Sequence, residues 1–218
     1  SSDLRELRLR GYIRSGGTYI PNAVDTDVFR PREGVEARKE LGISKEAFVV
    51  GTVSRLVPQK GIKWLIEAMG YCPSMELIVV GDGEERRALE KQVGQDKDRI
   101  RFLGTREDIP ALLSAFDVFA LSSLWEGQPI ALIEALAAGV PCVATGTEGA
   151  REVLKEIEGW LIVPKCDAEG LAGAFHQLRS DSKLRLRLAK GAREGALLRS
   201  HEATVQNLLS LYRSLIKH

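Results

Sequence analysis

A chain of 218 residues, at about 150 residues per domain, holds one large domain or one domain with an appendage. Its 44% apolar and 28% charged residues exclude disordered, collagen-like and small disulfide-stapled classes. Thirty-one basic against thirty acidic residues leave a net charge of +1. That balance removes the global electrostatic case for a nucleic-acid or anionic-membrane partner, so any anion site must be local.

In chain order, residues 1 to 47 lie outside any regular pattern. A basic stretch, Leu4 to Arg14, is followed by a short strand at Tyr19-Ile20 that runs into the turn Pro21-Asn22-Ala23-Val24-Asp25, and the whole reads as a linker. From Phe48 onward, β-branched apolar runs alternate with amphipathic stretches. Strands are predicted at Phe48 to Val53, Leu77 to Val80, Ile100 to Leu103, Val118 to Leu121, Val140 to Ala144 and Leu161 to Val163. The helical candidates between and after them are Ile62 to Met69, Glu84 to Val93, Asp108 to Ser114, Ile130 to Ala138, a short turn at Glu148 to Leu154, and Ala168 to Leu178. Near-continuous apolar strands imply helices on both faces. The predicted fold is therefore α/β, a doubly wound parallel sheet of about six strands with its ligand crevice at the strands' carboxyl ends. Two further helices, Lys183 to Leu198 and Glu202 to Ile216, close the chain, with Ser200 as N-cap of the second.

Cys72, Cys142 and Cys166 are odd in number and far apart, which points to free thiols in a reducing compartment. Ala135 to Ala144 is uncharged but interrupted by Gly139 and Pro141, and it is far shorter than the ~18 residues of a spanning helix. Ser1-Ser2 stands in place of methionine, with no leader or cleavage pattern behind it, and reads as a fragment of something longer.

Two motifs carry chemistry. In Gly51-Thr-Val-Ser-Arg-Leu-Val-Pro-Gln-Lys60-Gly61, Arg55 and Lys60 occupy a strand-to-helix loop, where an anion also meets the free N–H groups of the helix starting near Gly61. Two cations and a helix N-terminus suit a diphosphate. The competing reading is two solvated loop charges. In Glu126-Gly-Gln-Pro-Ile-Ala-Leu-Ile-Glu134, Pro129 fits the first turn of a helix. A fully helical span at 1.5 Å per residue would separate the carboxylates by about 12 Å, too far for a shared metal or an acid/base pair. Each could instead accept from a vicinal diol of one extended ligand. The alternative is a dipole cap at Glu126 and a surface charge at Glu134, yet Glu134 sits among Leu132, Ile133, Ala135 and Leu136, where an unpaired charge is costly.

Other signals are weaker. Gly81-Asp82-Gly83 lacks the third glycine of a dinucleotide fingerprint, since Arg86 occupies that position, and reads as a tight turn. Asp25-Thr-Asp27 and Asp96-Lys-Asp98 read as turn and capping groups. His176, His201 and His218 have no partner at ligand spacing, and a Gly-x-Ser-x-Gly elbow is lacking, so metal and triad chemistry are not expected.

Taken in order, Ile20-Pro-Asn-Ala-Val-Asp25, Gly51-x3-Arg55-Leu-x3-Lys60-Gly61, Val79-Val-Gly-Asp-Gly83, Phe102-Leu-Gly104 and Glu126-x7-Glu134-Ala-x3-Gly-Val-Pro-Cys-Val143 resemble the carboxyl-terminal half of group 1 (family 4) retaining glycosyltransferases of the GT-B fold. The resemblance covers roughly residues 18 to 216. It implies a Rossmann-like domain that binds a UDP-, GDP- or ADP-sugar donor without a metal or other cofactor, in a cytoplasmic enzyme that transfers a hexose-type sugar with retention. Arg55 and Lys60 would then hold the diphosphate and stabilise the departing nucleotide. Glu126 would contact donor-sugar hydroxyls and Glu134 the ribose diol. Backbone N–H groups of Gly127, Gln128 and Ile130 would approach sugar or phosphate, and the turn from Gly104 to Ile109 would border the base. The family's Gly-Phe-Gly-Leu is here Gly127-Gln-Pro-Ile130, so Pro129 cannot donate, and its linker Asn-Gly is Asn22-Ala23.

The same resemblance divides the chain into a remnant of an amino-terminal domain and linker (1–22), the donor domain (23–198) and a crossover helix (199–218). It places the acceptor site, the family's catalytic His and any membrane contact in an amino-terminal half preceding Ser1. The piece alone is then expected to be inactive, with exposed apolar ends that favour self-association. Two alternative readings are a sugar-nucleotide epimerase or phosphorylase on a related GT-B scaffold, and a non-catalytic interaction module that kept the fold.

Overall fold

The computed structural model describes residues 20–155 and 157–216; the basic stretch from Leu4 to Arg14 and Tyr19 lie outside the described residues. Strands β1 (Phe48–Val53), β2 (Met75–Val80), β3 (Ile100–Gly104), β4 (Val118–Leu121), β5 (Cys142–Thr145) and β6 (Trp160–Val163) form one sheet. Its order is β3-β2-β1-β4-β5-β6, and every neighbouring pair is parallel. The strand order reverses between β1 and β4. Loops leaving those two strands therefore diverge and open a crevice at the carboxyl edge.

The helices are α1 (Val35–Glu40), α2 (Ile62–Gly70), α3 (Arg86–Val93), α4 (Ile109–Ser114), α5 (Ile130–Ala137), α6 (Glu148–Leu154), α7 (Ala168–Ser180), α8 (Ser182–Leu197) and α9 (His201–Ile216). Strand alternation sorts the core into two layers. Val49, Ile78, Phe119 and Cys142 pack with Ala37, Leu113, Leu136, Val153 and Ala192 on one face. Phe48, Val50, Leu77, Val118 and Val143 pack with Leu65, Met69, Leu89 and Phe175 on the other. Helices thus cover both faces, as the continuous apolar strands require.

The expected elements are present with end shifts of one or two residues, and three readings need correction. The segment read as a linker contains α1, which is held by charge more than by apolar burial: Arg38 pairs with Asp117 at 2.7 Å and donates to the Ala115 and Ala47 carbonyls. Ile20 is not in a strand; among the described residues, pairing in this segment is limited to a parallel bridge between Val24 and Ser200. Glu148–Leu154 is a helix, because Thr147 Oγ1 accepts from the Ala150 N–H at 3.2 Å and caps it. Ser200 caps α9 as expected, accepting from the Ala203 N–H at 3.1 Å. The turn at Asp25 is also as expected, its carboxylate accepting from the Asp27 and Val28 N–H groups.

All three cysteines are free thiols, Cys72 and Cys142 buried and Cys166 exposed. Among the described residues, no helix is long and apolar enough to cross a membrane. Helix α9 buries no residue and leaves Val205, Leu209, Tyr212 and Ile216 exposed along one stripe.

Arg193 on α8 locks the entering segment to the domain. Its Nη1 donates to the Thr26, Phe29 and Ala137 carbonyls at 3.2, 2.9 and 2.8 Å, the last at the end of α5. Arg193→Met leaves those acceptors without their charged donor and should cost about 2–3 kcal/mol, read as a lowered midpoint in urea unfolding with an unchanged slope.

Candidate functional site

The crevice rim is built from four strand-end loops whose backbones touch. After β1, Ser54 and Leu56 donate their N–H groups to Val80 and Asp82, and Leu56 accepts from Glu85, which binds this loop to the one after β2. A Cβ at Gly81 or Gly83 would overlap the carbonyls of Ser54 and Leu56, so both glycines are needed for this approach. Gly81 N–H in turn reaches the Gly104 carbonyl at 2.8 Å, placing the Gly104 to Ile109 turn next along the rim. Gly81-Asp82-Gly83 is not itself the tight turn expected from sequence: Gly81 forms a bridge with Gly104, and the turn falls at Glu84-Glu85.

The loop after β1 interlocks equally with the loop after β4. Pro58–Lys60 forms a 3-10 turn, and Gly61 follows with φ of 61°, its α-carbon against the Ser122 carbonyl where a Cβ would overlap. Ser122 Oγ donates to the Lys60 carbonyl at 2.9 Å, and Leu124 N–H to the Gln59 carbonyl at 2.8 Å. Helix α2 begins at Ile62, beyond the 3-10 turn, so the helix start lies where it was expected but behind a tighter turn.

This interlock brings two of the predicted residues into direct contact. Lys60 Nζ lies 2.6 Å from Glu126 Oε1, with side chains only 17% and 6% exposed. Ser123 Oγ donates to the same oxygen at 2.6 Å. Glu126 is neither a dipole cap nor part of a helix: α5 starts at Ile130, and its N-cap is Pro129, one residue before the position expected for proline. The fully helical span considered for Glu126 to Glu134 is therefore not what forms. Gly149 at the start of α6 fits against the carbonyls of Glu126 and Gly127, where a Cβ would overlap both, and its N–H donates to the former.

Arg55 is exposed and, among the described residues, its side chain makes no ion pair or hydrogen bond. The N–H groups of Gly127, Gln128 and Ile130 likewise donate to nothing among the described residues. Gln128 has a second role that sequence did not indicate, its Oε1 accepting from the Asn22 N–H at 2.6 Å. Glu134 lies on the second turn of α5, half-buried, without a salt bridge among the described residues, and burial pushes its carboxyl above the usual carboxylate range. Ile109 begins α4, and between it and Gly104 the exposed Arg106 pairs with Asp108. Among the described residues no cluster of three His, Cys, Asp or Glu side chains is placed to hold a metal ion. Ser122, Ser123 and Thr145 were not anticipated, since isolated hydroxyls at strand ends carry no distinguishing pattern.

Fold and rim together define a Rossmann-like α/β domain of the GT-B type. The chain belongs to the glycosyl transferases group 1 family, whose model matches residues 35–195. It is 37% identical over 179 residues to the UDP-Gal:alpha-D-GlcNAc-diphosphoundecaprenol alpha-1,3-galactosyltransferase of Escherichia coli, covering 77% of this chain and 46% of that protein. It is 38% identical over 181 residues to the lipopolysaccharide core biosynthesis glycosyltransferase LpsE of Rhizobium meliloti, covering 81% of this chain and 53% of that protein. Anabaena Alr3699/HepE in complex with UDP-glucose superposes with a TM-score of 0.84 at 29% identity, over 90% of this chain and 57% of that one. The C-terminal domain of a group 1 glycosyl transferase family protein, LpcC of Francisella tularensis, superposes with a TM-score of 0.71 at 27% identity, over 81% of this chain and 97% of that domain. The chain spans about half the length of the curated relatives it matches.

Glu134 yields a prediction with a definite sign. A carboxyl whose folded pKa is raised favours the folded state below its unfolded pKa and loses that contribution as pH rises through the folded value. Glu134→Gln should therefore be the more stable form at pH 7, by less than about 1 kcal/mol because solvent screens the partly exposed group. The advantage should vanish in chemical unfolding near pH 3.5, where both side chains are neutral.

Proposed function

We propose that this chain is the donor-binding half of a metal-independent retaining glycosyltransferase that transfers a hexose-type sugar from a nucleoside diphosphate. The observation carrying this reading is the meeting of Lys60 and Glu126 at the β1/β4 switch point, with Arg55 exposed on the same loop. Support comes also from relatives described as glycosyltransferases and from the Anabaena protein's complex with UDP-glucose.

Along the rim, the ligand would run from the base beside Gly104 to Ile109, through the ribose at Glu134, to the diphosphate at Arg55 and Lys60 and the sugar at Glu126. Arg55 and the free N–H groups of Gly127, Gln128 and Ile130 add donors to the phosphates or sugar. As the glycosidic bond breaks, negative charge grows on the departing nucleotide, and the fixed cations at Arg55 and Lys60 stabilise it where a divalent cation serves other transferases. Glu126 orients the sugar through its hydroxyls. Acceptor binding and the remaining catalytic groups belong to the other half of such a protein, so residues 1–22 and 199–218 act as connections to it and this chain alone transfers nothing. Three free thiols accord with a cytoplasmic location.

Calorimetry with UDP, GDP and ADP tests the reading. One nucleotide should bind, and Arg55→Ala should weaken it about tenfold with little change in stability, because the side chain is exposed. Lys60→Ala should also lower stability, by about 3–5 kcal/mol, since it strands a buried Glu126 carboxylate. Wild-type protein that binds none of the three, or binds equally well without Arg55 and Lys60, overturns the proposal. Stability loss in Arg55→Ala comparable to that in Lys60→Ala would contradict the placement of the two cations.

A further inference from the structure

The Glu126 carboxylate has an uneven set of partners. Oε1 receives both Lys60 Nζ and Ser123 Oγ, each at 2.6 Å, while Oε2 has no partner among the described residues. The oxygens are thus divided: one is occupied by the protein and one is left to accept from a ligand hydroxyl. The two occupants of Oε1 differ in freedom. Lys60 ends a long side chain whose backbone is pinned by Ser122 Oγ at its carbonyl and by the tight fit of Gly61. Only its flexible stem can move. Ser123 is fully buried, and its carbonyl accepts from Thr145 Oγ1 on β5 at 2.5 Å, so its hydroxyl is held in one place.

A diphosphate at this loop competes with Glu126 for the Lys60 ammonium. If the ammonium turns to phosphate, a carboxylate only 6% exposed loses its cation and, without another donor, would be free to rotate or to take up a proton. We infer that Ser123 is a positioning residue that keeps Glu126 charged and aimed at the sugar while Lys60 is engaged by the diphosphate. The inference rests on the donor-binding function proposed for this rim. Ser123 acts through Glu126 alone, because its buried hydroxyl cannot reach a ligand. It therefore affects recognition of the sugar and not of the nucleotide. The adjacent serines have separate roles, Ser122 fixing the backbone of the cation and Ser123 fixing the anion.

The proposal is tested by calorimetry on the 218-residue chain, comparing UDP, GDP and ADP with their glucose conjugates. For the nucleotide that binds, Ser123→Ala should leave the diphosphate within about twofold and weaken the glucose conjugate about tenfold, the loss of one charge-assisted hydrogen bond. In a Glu126→Gln background the same substitution should add less than about twofold. Equal weakening of nucleotide and conjugate, or an undiminished effect in Glu126→Gln, overturns the inference and assigns Ser123 a structural role. Should Ser123→Ala fail to melt cooperatively, Ser123→Cys, of similar size and a weaker donor, takes its place with the same two outcomes. Wild-type protein that binds none of the six compounds overturns the donor reading itself, and this inference with it, a result separable from normal binding with no sugar-specific loss.

Discussion

The backbone approach between the loops after β1 and β4 is the constraint from which the site follows. Gly61, in a left-handed conformation, lets the Lys60 backbone lie against Ser122, and hydrogen bonds from Ser122 and Leu124 hold it there. With the chains that close, the Lys60 and Glu126 side chains meet at 2.6 Å. A side chain at Gly61 would drive the loops apart, and the ion pair, the Ser123 contact and the seat of Gly149 against residues 126–127 would all shift. The same device recurs at Gly81 and Gly83, so the rim from β3 to β4 is a continuous surface of packed backbone with few side chains spent on holding it.

A rim built this way is preorganised. Loop amides that are not used in holding neighbouring loops, those of Gly127, Gln128 and Ile130, donate to nothing among the described residues. Glu134 bears a desolvation cost with no salt bridge among them to offset it. Lys60 and Glu126 neutralise each other in the ligand-free state, which limits the stability lost to a site rich in charge. On the proposed donor-binding reading, a diphosphate would exchange this internal ion pair for an external one, a smaller electrostatic change than meeting an uncompensated Lys60.

Much of this was legible in the sequence, and the gaps have a common origin. Continuous β-branched runs identified the strands, and the residue types at 60 and 126 singled out two side chains that the fold brings together. What could not be read were contacts between distant segments. Lys60 and Glu126 stand 66 residues apart, and their pairing depends on β1 lying beside β4. Helix α1 escaped notice because only Ala37 within it is buried. Its hold comes from Arg38 reaching Asp117, 79 residues away. Glu148–Leu154, read among the helical candidates only as a short turn, is a full helix through the Thr147 cap and the seat of Gly149 on the β4 loop. Ser123 is one serine among many until the fold places its hydroxyl on a carboxylate.

The bridge between Val24 and Ser200 has a mechanical consequence. Val24 N–H donates to the Arg199 carbonyl at 2.9 Å, so the strand of chain entering the domain and the one leaving it toward α9 are hydrogen-bonded neighbours. Gln128 on the rim grips that same entering segment at Asn22. The entering and leaving segments are thus joined at one corner of the domain, and a displacement of either is resisted by the hydrogen bond to the other. The Asn22–Gln128 bond makes that corner continuous with the loop that carries Glu126, so one side-chain amide joins the entering segment to the site.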